Sequence, residues 1–295
     1  MSQKVALVLS SGGARGLAHI GVIEALEENG YEISSISGSS IGAVVGAFYA
    51  CGKLEEYKRW AINLDRYDVF KLIDFTFSVQ GFIKGERVFN TLQSIIPDCQ
   101  IEDLPIPFSA LVTDIKAKKE LALTTGSMYS AIKASVAIPT VIKPVLLEGK
   151  SYIDGGVTNP IPIDHVQRSP GDLLVVSNVN AMIPYKKSVE DMKKEAAAEQ
   201  AYLQKIQSFL VGWNRLLPGS QEAEKKLGFF DLLNESIDLM QDRLTSLLLE
   251  KHQPDILVNI SRDVCGTFGF YKARELIRIG YERCSEEMRQ SNLVK

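Results

Sequence analysis

The chain has 295 residues, 45% of them hydrophobic and 23% charged, with a formal net charge of -3 at neutral pH. That length suits one large domain or two small ones, and the missing basic excess argues against a nucleic-acid partner. No run of 18 apolar residues is available to span a bilayer, and Val5 to Leu9 is too short an apolar run for a signal peptide.

Residues 4–10 form a continuous aliphatic and β-branched run, the pattern of a strand buried on both faces. The glycine loop Ser11-Gly12-Gly13-Ala14-Arg15-Gly16 follows, then a predicted helix over 17–29 that stops at Asn29-Gly30. A short strand, Ile33 to Ser37, leads into Gly38-Ser39-Ser40-Ile41-Gly42 and a small-residue helix through Ala50. Strand, loop, helix, strand, turn and helix within 50 residues is a βαβα pattern, which predicts a parallel sheet covered by helices. Residues 54–97 read as mainly helical, with a loop at 81–85. Strands are expected at Phe108 to Thr113 and Glu120 to Thr124, and a short helix at Met128 to Ser135. Val141 to Leu147 and Ser151 to Ile153 read as a hairpin around Glu148-Gly149-Lys150. Asp172 to Ser177 and Asp255 to Ile260 complete the strands, and a helix over 271–289 closes the chain.

Between those last two strands the character changes. Apolar residues recur at helical spacing from Tyr202 to Leu217 and again from Leu233 to Leu248, separated by Pro218-Gly219-Ser220. The chain therefore divides into an α/β core over 1–184, a helical insertion or cap over 185–251, and a strand and helix over 252–295 that complete the core. The apolar face at 200–217, flanked by lysines, is a candidate for peripheral contact with a membrane surface. Packing of that face on the body is the competing reading.

G-x-S-x-G at a strand–helix turn puts Ser40 on a sharp corner, with Gly38 and Gly42 leaving room for the backbone to come close. The glycine loop fits neither a dinucleotide fingerprint, since Ser11 stands two before Gly13, nor a Walker loop, since Leu17 follows Gly16. What remains is a run of backbone N–H groups before a helix, able to bind an anion or oxyanion, with Arg15 as a further donor or a brace. A serine nucleophile needs a base. The three histidines, His19, His165 and His252, lie in or beside helical segments and not in glycine-marked loops, which disfavours a Ser-His-Asp triad. Asp154 ends an apolar strand and is followed by Gly155-Gly156, so it is presented where α/β sites form, although Asp-Gly is also an ordinary turn signal. Scattered histidines and the lack of a calcium-loop pattern give no reason to expect a metal, and no cofactor is expected. Cys51, Cys99, Cys265 and Cys284 form no C-x-x-C pair and read as free thiols of a cytoplasmic protein.

Gly12-Gly13-Ala14-Arg15-Gly16, Gly38-Ser39-Ser40-Ile41-Gly42 and Asp154-Gly155-Gly156, in this order, resemble the patatin-like phospholipase family. Ala134-Ser135-Val136-Ala137-Ile138-Pro139 and Thr113-Asp114 are similar to two further blocks of that family. The likeness spans residues 4–180 and 254–285; residues 185–251 match nothing. One departure is Lys133, where many relatives carry arginine, and lysine lacks the planar fork. The resemblance implies a three-layer α/β sandwich around a mainly parallel sheet, and hydrolysis of lipid esters by a Ser-Asp dyad. Ser40 would be the nucleophile, Asp154 the base, and the backbone of Gly12, Gly13, Ala14 and Arg15 the oxyanion hole. Acyl transfer by the same dyad, or a non-catalytic regulatory role on the same fold, are the alternatives.

Overall fold

The computed structural model describes residues 2–73, 86–139, 141–187 and 229–291. Its frame is a mixed sheet. Strands β1 (Gln3–Leu9), β2 (Tyr31–Ser39), β3 (Phe108–Asp114), β4 (Lys119–Leu123), β5 (Val145–Leu147), β6 (Lys150–Asp154), β7 (Leu173–Ala181) and β8 (Ile256–Ser261) run in the order β5-β6-β3-β2-β1-β7-β8, with β4 also paired to β3. The pairings β1–β2, β1–β7, β2–β3 and β7–β8 are parallel, whereas β3–β4, β3–β6 and β5–β6 are antiparallel. The expected mainly parallel α/β sheet is what the chain builds.

Side chains of β1 alternate between two apolar layers. Val5, Leu7 and Leu9 join the main core with helices α1 (Ala18–Glu28) and α2 (Ile41–Ala50). Ala6 and Val8 point the other way, onto Ile161, Ile163 and Val166. Full burial on both faces explains why this strand reads as an unbroken apolar run. Between β2 and β3 the chain makes α3 (Leu54–Ala61), α4 (Arg66–Ile73) and α5 (Glu86–Ile95), as the helical reading of that stretch anticipated. Helix α6 (Met128–Ser135) starts where the Ser127 hydroxyl accepts the Ser130 N–H at 3.0 Å. Beyond it come α7 (Phe229–His252) and α8 (Ala273–Gln290).

Helix α8 packs on α1 at backbone distance. A side chain at Gly21 would overlap the Ile277 carbonyl, and one at Gly280 would overlap the Ala18 carbonyl. Two glycines facing each other's helix let the axes approach as no larger pair would.

The expected hairpin forms, but its first strand is shorter than the sequence suggests. Val141 and Ile142 donate their N–H groups to the Ile138 carbonyl in a turn, and pairing begins only at Val145. Pro139 and Pro144 bracket this segment, and prolines have no N–H to give a ladder.

Candidate functional site

Ser40 stands between β2 and α2 with φ 54° and ψ -124°, a left-handed backbone for a residue with a side chain. Holding such a residue costs about 1–3 kcal/mol, which the surrounding structure must over-determine. Its carbonyl accepts the N–H groups of Ala43 at 2.9 Å and Val44 at 3.3 Å, opening the helix. Crowding enforces both glycines of the elbow: a side chain at Gly38 would overlap the Gly42 backbone, and one at Gly42 would overlap the Leu9 carbonyl. The Ser40 N–H donates to Ser135 Oγ at 2.9 Å, and the Ser135 hydroxyl donates to the Leu111 carbonyl at 2.7 Å. Ser135 thus fastens the elbow to β3.

The sheet brings Asp154 to this corner through a shared edge. One edge of β3 pairs with β4 over residues 110–114. The other edge is divided: residues 108–111 pair with β2 and residues 112–114 with β6. Leu111 therefore faces Ser39, and the next residue, Val112, faces Asp154. Because β2 is parallel to β3 and β6 antiparallel, the two strands run toward each other and end on adjacent rungs. The Ser40 hydroxyl donates to Asp154 Oδ2 at 2.6 Å across a sequence separation of 114. Asp154 Oδ1 accepts the Gly156 N–H at 2.7 Å. Asp154 N–H donates to the Ala137 carbonyl at 3.0 Å, and its carbonyl accepts the Thr113 hydroxyl at 3.0 Å. Gly155 lies against the Leu111 carbonyl with no space for a side chain. Burial pushes the Asp154 carboxyl up to about 6, against the opposing pull of the Ser40 and Gly156 hydrogen bonds.

The glycine loop is held from several elements. Ser11 N–H donates to the Pro160 carbonyl and Ala14 N–H to the Thr267 carbonyl, at 2.9 and 2.8 Å. Asn180 donates from Nδ2 to the Ser11 carbonyl at 2.8 Å and accepts Arg15 Nε at 3.0 Å, while Arg15 Nη1 donates to the Cys265 carbonyl at 3.3 Å. Of the two roles open to Arg15, bracing is the one these contacts describe. Burial lowers its pKa. Among the described residues, the N–H groups of Gly12 and Gly13 have no backbone partner, and both residues line a pocket with Ser40 and Asp154. Ala14 departs from expectation: it is fully buried and its N–H is taken by Thr267, so that donor is unavailable to a ligand.

None of the histidines joins the dyad. His19 is buried beneath the loop, where Nε2 donates to the Ser10 carbonyl at 2.9 Å and Nδ1 accepts the Ser177 hydroxyl at 2.8 Å. Burial pushes its pKa down to about 4, so it is a neutral strut. His165 pairs with Glu120, and His252 with Asp164. Among the described residues no three His, Cys, Asp or Glu side chains gather as a metal site.

Two cavities meet at Ser40. One, of about 160 Å³, is apolar and runs among Val44, Trp60, Leu72, Phe89, Leu92 and Ile142. The other, of about 150 Å³, is the more polar of the two and holds Asp154, Arg15, Asn180, Asp238 and Gln241 beside apolar side chains. Gly13, Ser40, Ile138, Val141, Thr267 and Phe268 line both. Through Trp60, Leu64 and Leu72 the apolar cavity borders a wider groove of about 610 Å³ between α3, α4 and α5. Helix α7, the described end of the expected insertion, covers the polar cavity: Gln241 Nε2 donates to the Gly156 carbonyl at 3.0 Å, Asp242 pairs with Arg262, and Lys251 pairs with Asp164 at 2.8 Å. The amphipathic stretch at 200–217 lies outside the described residues. Lys133 sits over the Phe89 ring at 5.5 Å and not in the dyad.

Sequence reasoning gave no role to Asn180, Thr267 or Gln241, and placed Ser135 only inside a motif. Gly266-Thr267-Phe268-Gly269 carries a visible turn signal, but nothing local connects it to a loop some 250 residues earlier.

The family model described as patatin-like phospholipase matches residues 7–166. An NTE family protein of Mycobacterium bovis is 31% identical over 95% of this chain and 89% of its own length. Patatin-like phospholipase domain-containing protein 7 of Rattus norvegicus is 34% identical over 59% of this chain, which spans 13% of that protein. Among solved structures, VipD from Legionella pneumophila is 14% identical over 98% of this chain and 67% of its own, with a TM-score of 0.47.

Proposed function

The chain belongs to the patatin-like phospholipase family, and from that membership and the site geometry we propose that it is a serine acyl hydrolase cleaving carboxylic esters of lipids. The observation that carries this reading is the 2.6 Å hydrogen bond from the Ser40 hydroxyl to Asp154 Oδ2 in a water-poor corner. As Ser40 Oγ attacks the ester carbonyl carbon, its proton passes to Asp154. An unperturbed aspartate is a weak base at neutral pH, and burial that raises the carboxyl to about 6 makes it a better one. The carbonyl oxygen, now negative, accepts the N–H groups of Gly12 and Gly13; losing one such donor typically costs on the order of 10²–10³ in turnover. The alcohol leaves with the proton from Asp154, and water, deprotonated by the same carboxylate, releases the acid from acyl-Ser40. The apolar cavity suits the acyl chain and the polar one the alcohol. Among the described residues no helix is long and apolar enough to cross a membrane. Cytoplasmic placement is part of the proposal, supported by four unpaired cysteines.

The test is labelling by a fluorophosphonate serine probe and turnover of a short-chain nitrophenyl ester, for wild type, Ser40→Ala and Asp154→Asn. Wild type should label and turn over, and both folded variants should fail to turn over. Labelling that survives Ser40→Ala would put the nucleophile elsewhere.

A further inference from the structure

The polar cavity carries a charge that the hydrolysis does not use. Its wall on α7 presents Ile237, Asp238 and Gln241 within little more than one turn. Gln241 is committed to the Gly156 carbonyl, and Asp242, just beyond it, to Arg262. Asp238 differs. Among the described residues its carboxylate accepts no hydrogen bond and makes no ion pair, although it lies within the fields of Arg15 and Arg262. Arg15, which lines the same cavity, has Nε and Nη1 spent on protein acceptors. Asp238 is exposed where it lines the cavity, so it acts through its charge and not through an unmet hydrogen bond: it favours a ligand that brings a cation or donor groups and disfavours one that brings an anion.

Ser40 and Asp154 line this same cavity, and the neighbouring apolar one cannot accept charge. The substituent on the ester's alcohol side therefore falls in the cavity that Asp238 lines. We propose that Asp238 is a specificity-determining residue that selects leaving alcohols bearing a cation or hydrogen-bond donors over those bearing an anion. The inference rests on the acyl-hydrolase reading and names which side chain reads the alcohol.

Three hexanoyl esters with one acyl chain and different alcohols test it: choline (cationic), glycerol (neutral) and isethionate (anionic), each kept monomeric. Wild type, Asp238→Asn, Asp238→Glu and Glu235→Gln are compared as full chains. The choline-to-isethionate ratio of kcat/KM should fall on the order of tenfold in Asp238→Asn, less at high salt. It should recover in Asp238→Glu and hold in Glu235→Gln, which removes an exposed charge about one turn away. The glycerol ester reports that each variant is folded and active. A ratio in Asp238→Asn within about twofold of wild type overturns the proposal. An equal fall in Glu235→Gln also overturns it, because the helix's general field would then be responsible. Wild type that hydrolyses none of the three refutes the hydrolase reading itself, a different failure from an unmoved ratio.

Discussion

The parallel and antiparallel halves of the sheet are built differently. In β1, β2 and β7 the inner residues are buried on both faces, and the ladder is flanked by α1, α2 and α8. In β4, β5 and β6 most side chains are half-buried or exposed, and the strands are only three to five residues long. Ser40 belongs to the first half and Asp154 to the second. A close-packed interior can hold a strained backbone because it has no room to relax. The short hairpin keeps its own positive-φ residue, Glu148 at 49°, on an exposed turn, and Asp154 itself has an ordinary φ of -47°. What it contributes instead is a carboxylate fixed by hydrogen bonds on both oxygens, whose proton affinity is set by how much water the corner admits. Rigidity and tunability are thus placed on separate elements that meet on adjacent rungs of β3.

The sharpest way to break the rigid half is Gly42→Ala. Its methyl would overlap the Leu9 carbonyl, a backbone group that cannot rotate away. We expect a loss of about 3 kcal/mol in chemical denaturation and no turnover; a loss under about 1 kcal/mol would show that the elbow is looser than described. Cutting the link between halves is the next step down. Ser135→Ala orphans the buried Ser40 N–H and the Leu111 carbonyl and should cost about 2 kcal/mol of stability, with kcat falling more than KM rises. Ser135→Thr, which keeps the hydroxyl, should recover most of kcat.

The tunable half is probed by pH. With the Asp154 carboxyl near 6, kcat/KM should be level above neutral pH, half-maximal near 6 and fall about tenfold per unit below it. A midpoint near 4 would mean that water reaches the carboxylate. The stability sign is opposite to the activity sign. A carboxyl raised in the folded state binds its proton more tightly there than when unfolded. Its favourable contribution is complete below the ordinary value of 3.8 and is lost as pH rises through about 6. The smallest effect isolates strain: Ser40→Gly and Ser40→Ala both remove the hydroxyl, yet only glycine relaxes at φ 54°. The glycine variant should be the more stable by about 1 kcal/mol, and equality would mean that the elbow stores no strain.

Much of this was legible in the chain because it is local. The run from Val5 to Leu9, the stop at Asn29-Gly30 and the small residues after Ser40 each encode their own geometry. The meeting of β2 and β6 on one edge of β3 was not legible, because it depends on which edge β4 leaves free. Thr267, which takes the Ala14 N–H, was invisible for the same reason: its partner is chosen by packing and not by spacing. Val141 and Ile142 show the converse error, in which β-branched propensity suggested a strand that two flanking prolines prevent.

The seam at Gly21 and Gly280 sets a limit on how portable this machinery is. The stretch matched by the family model, residues 7–166, carries both Ser40 and Asp154. The loop that faces them is nevertheless anchored by Asn180, Cys265 and Thr267, and the helix leading out of that loop is clasped by α8. A graft of residues 7–166 onto another scaffold would carry the signature and leave its clasp behind. The heritable unit that holds this corner together is thus almost the whole chain, with its last helix as much a part of the inheritance as its first loop.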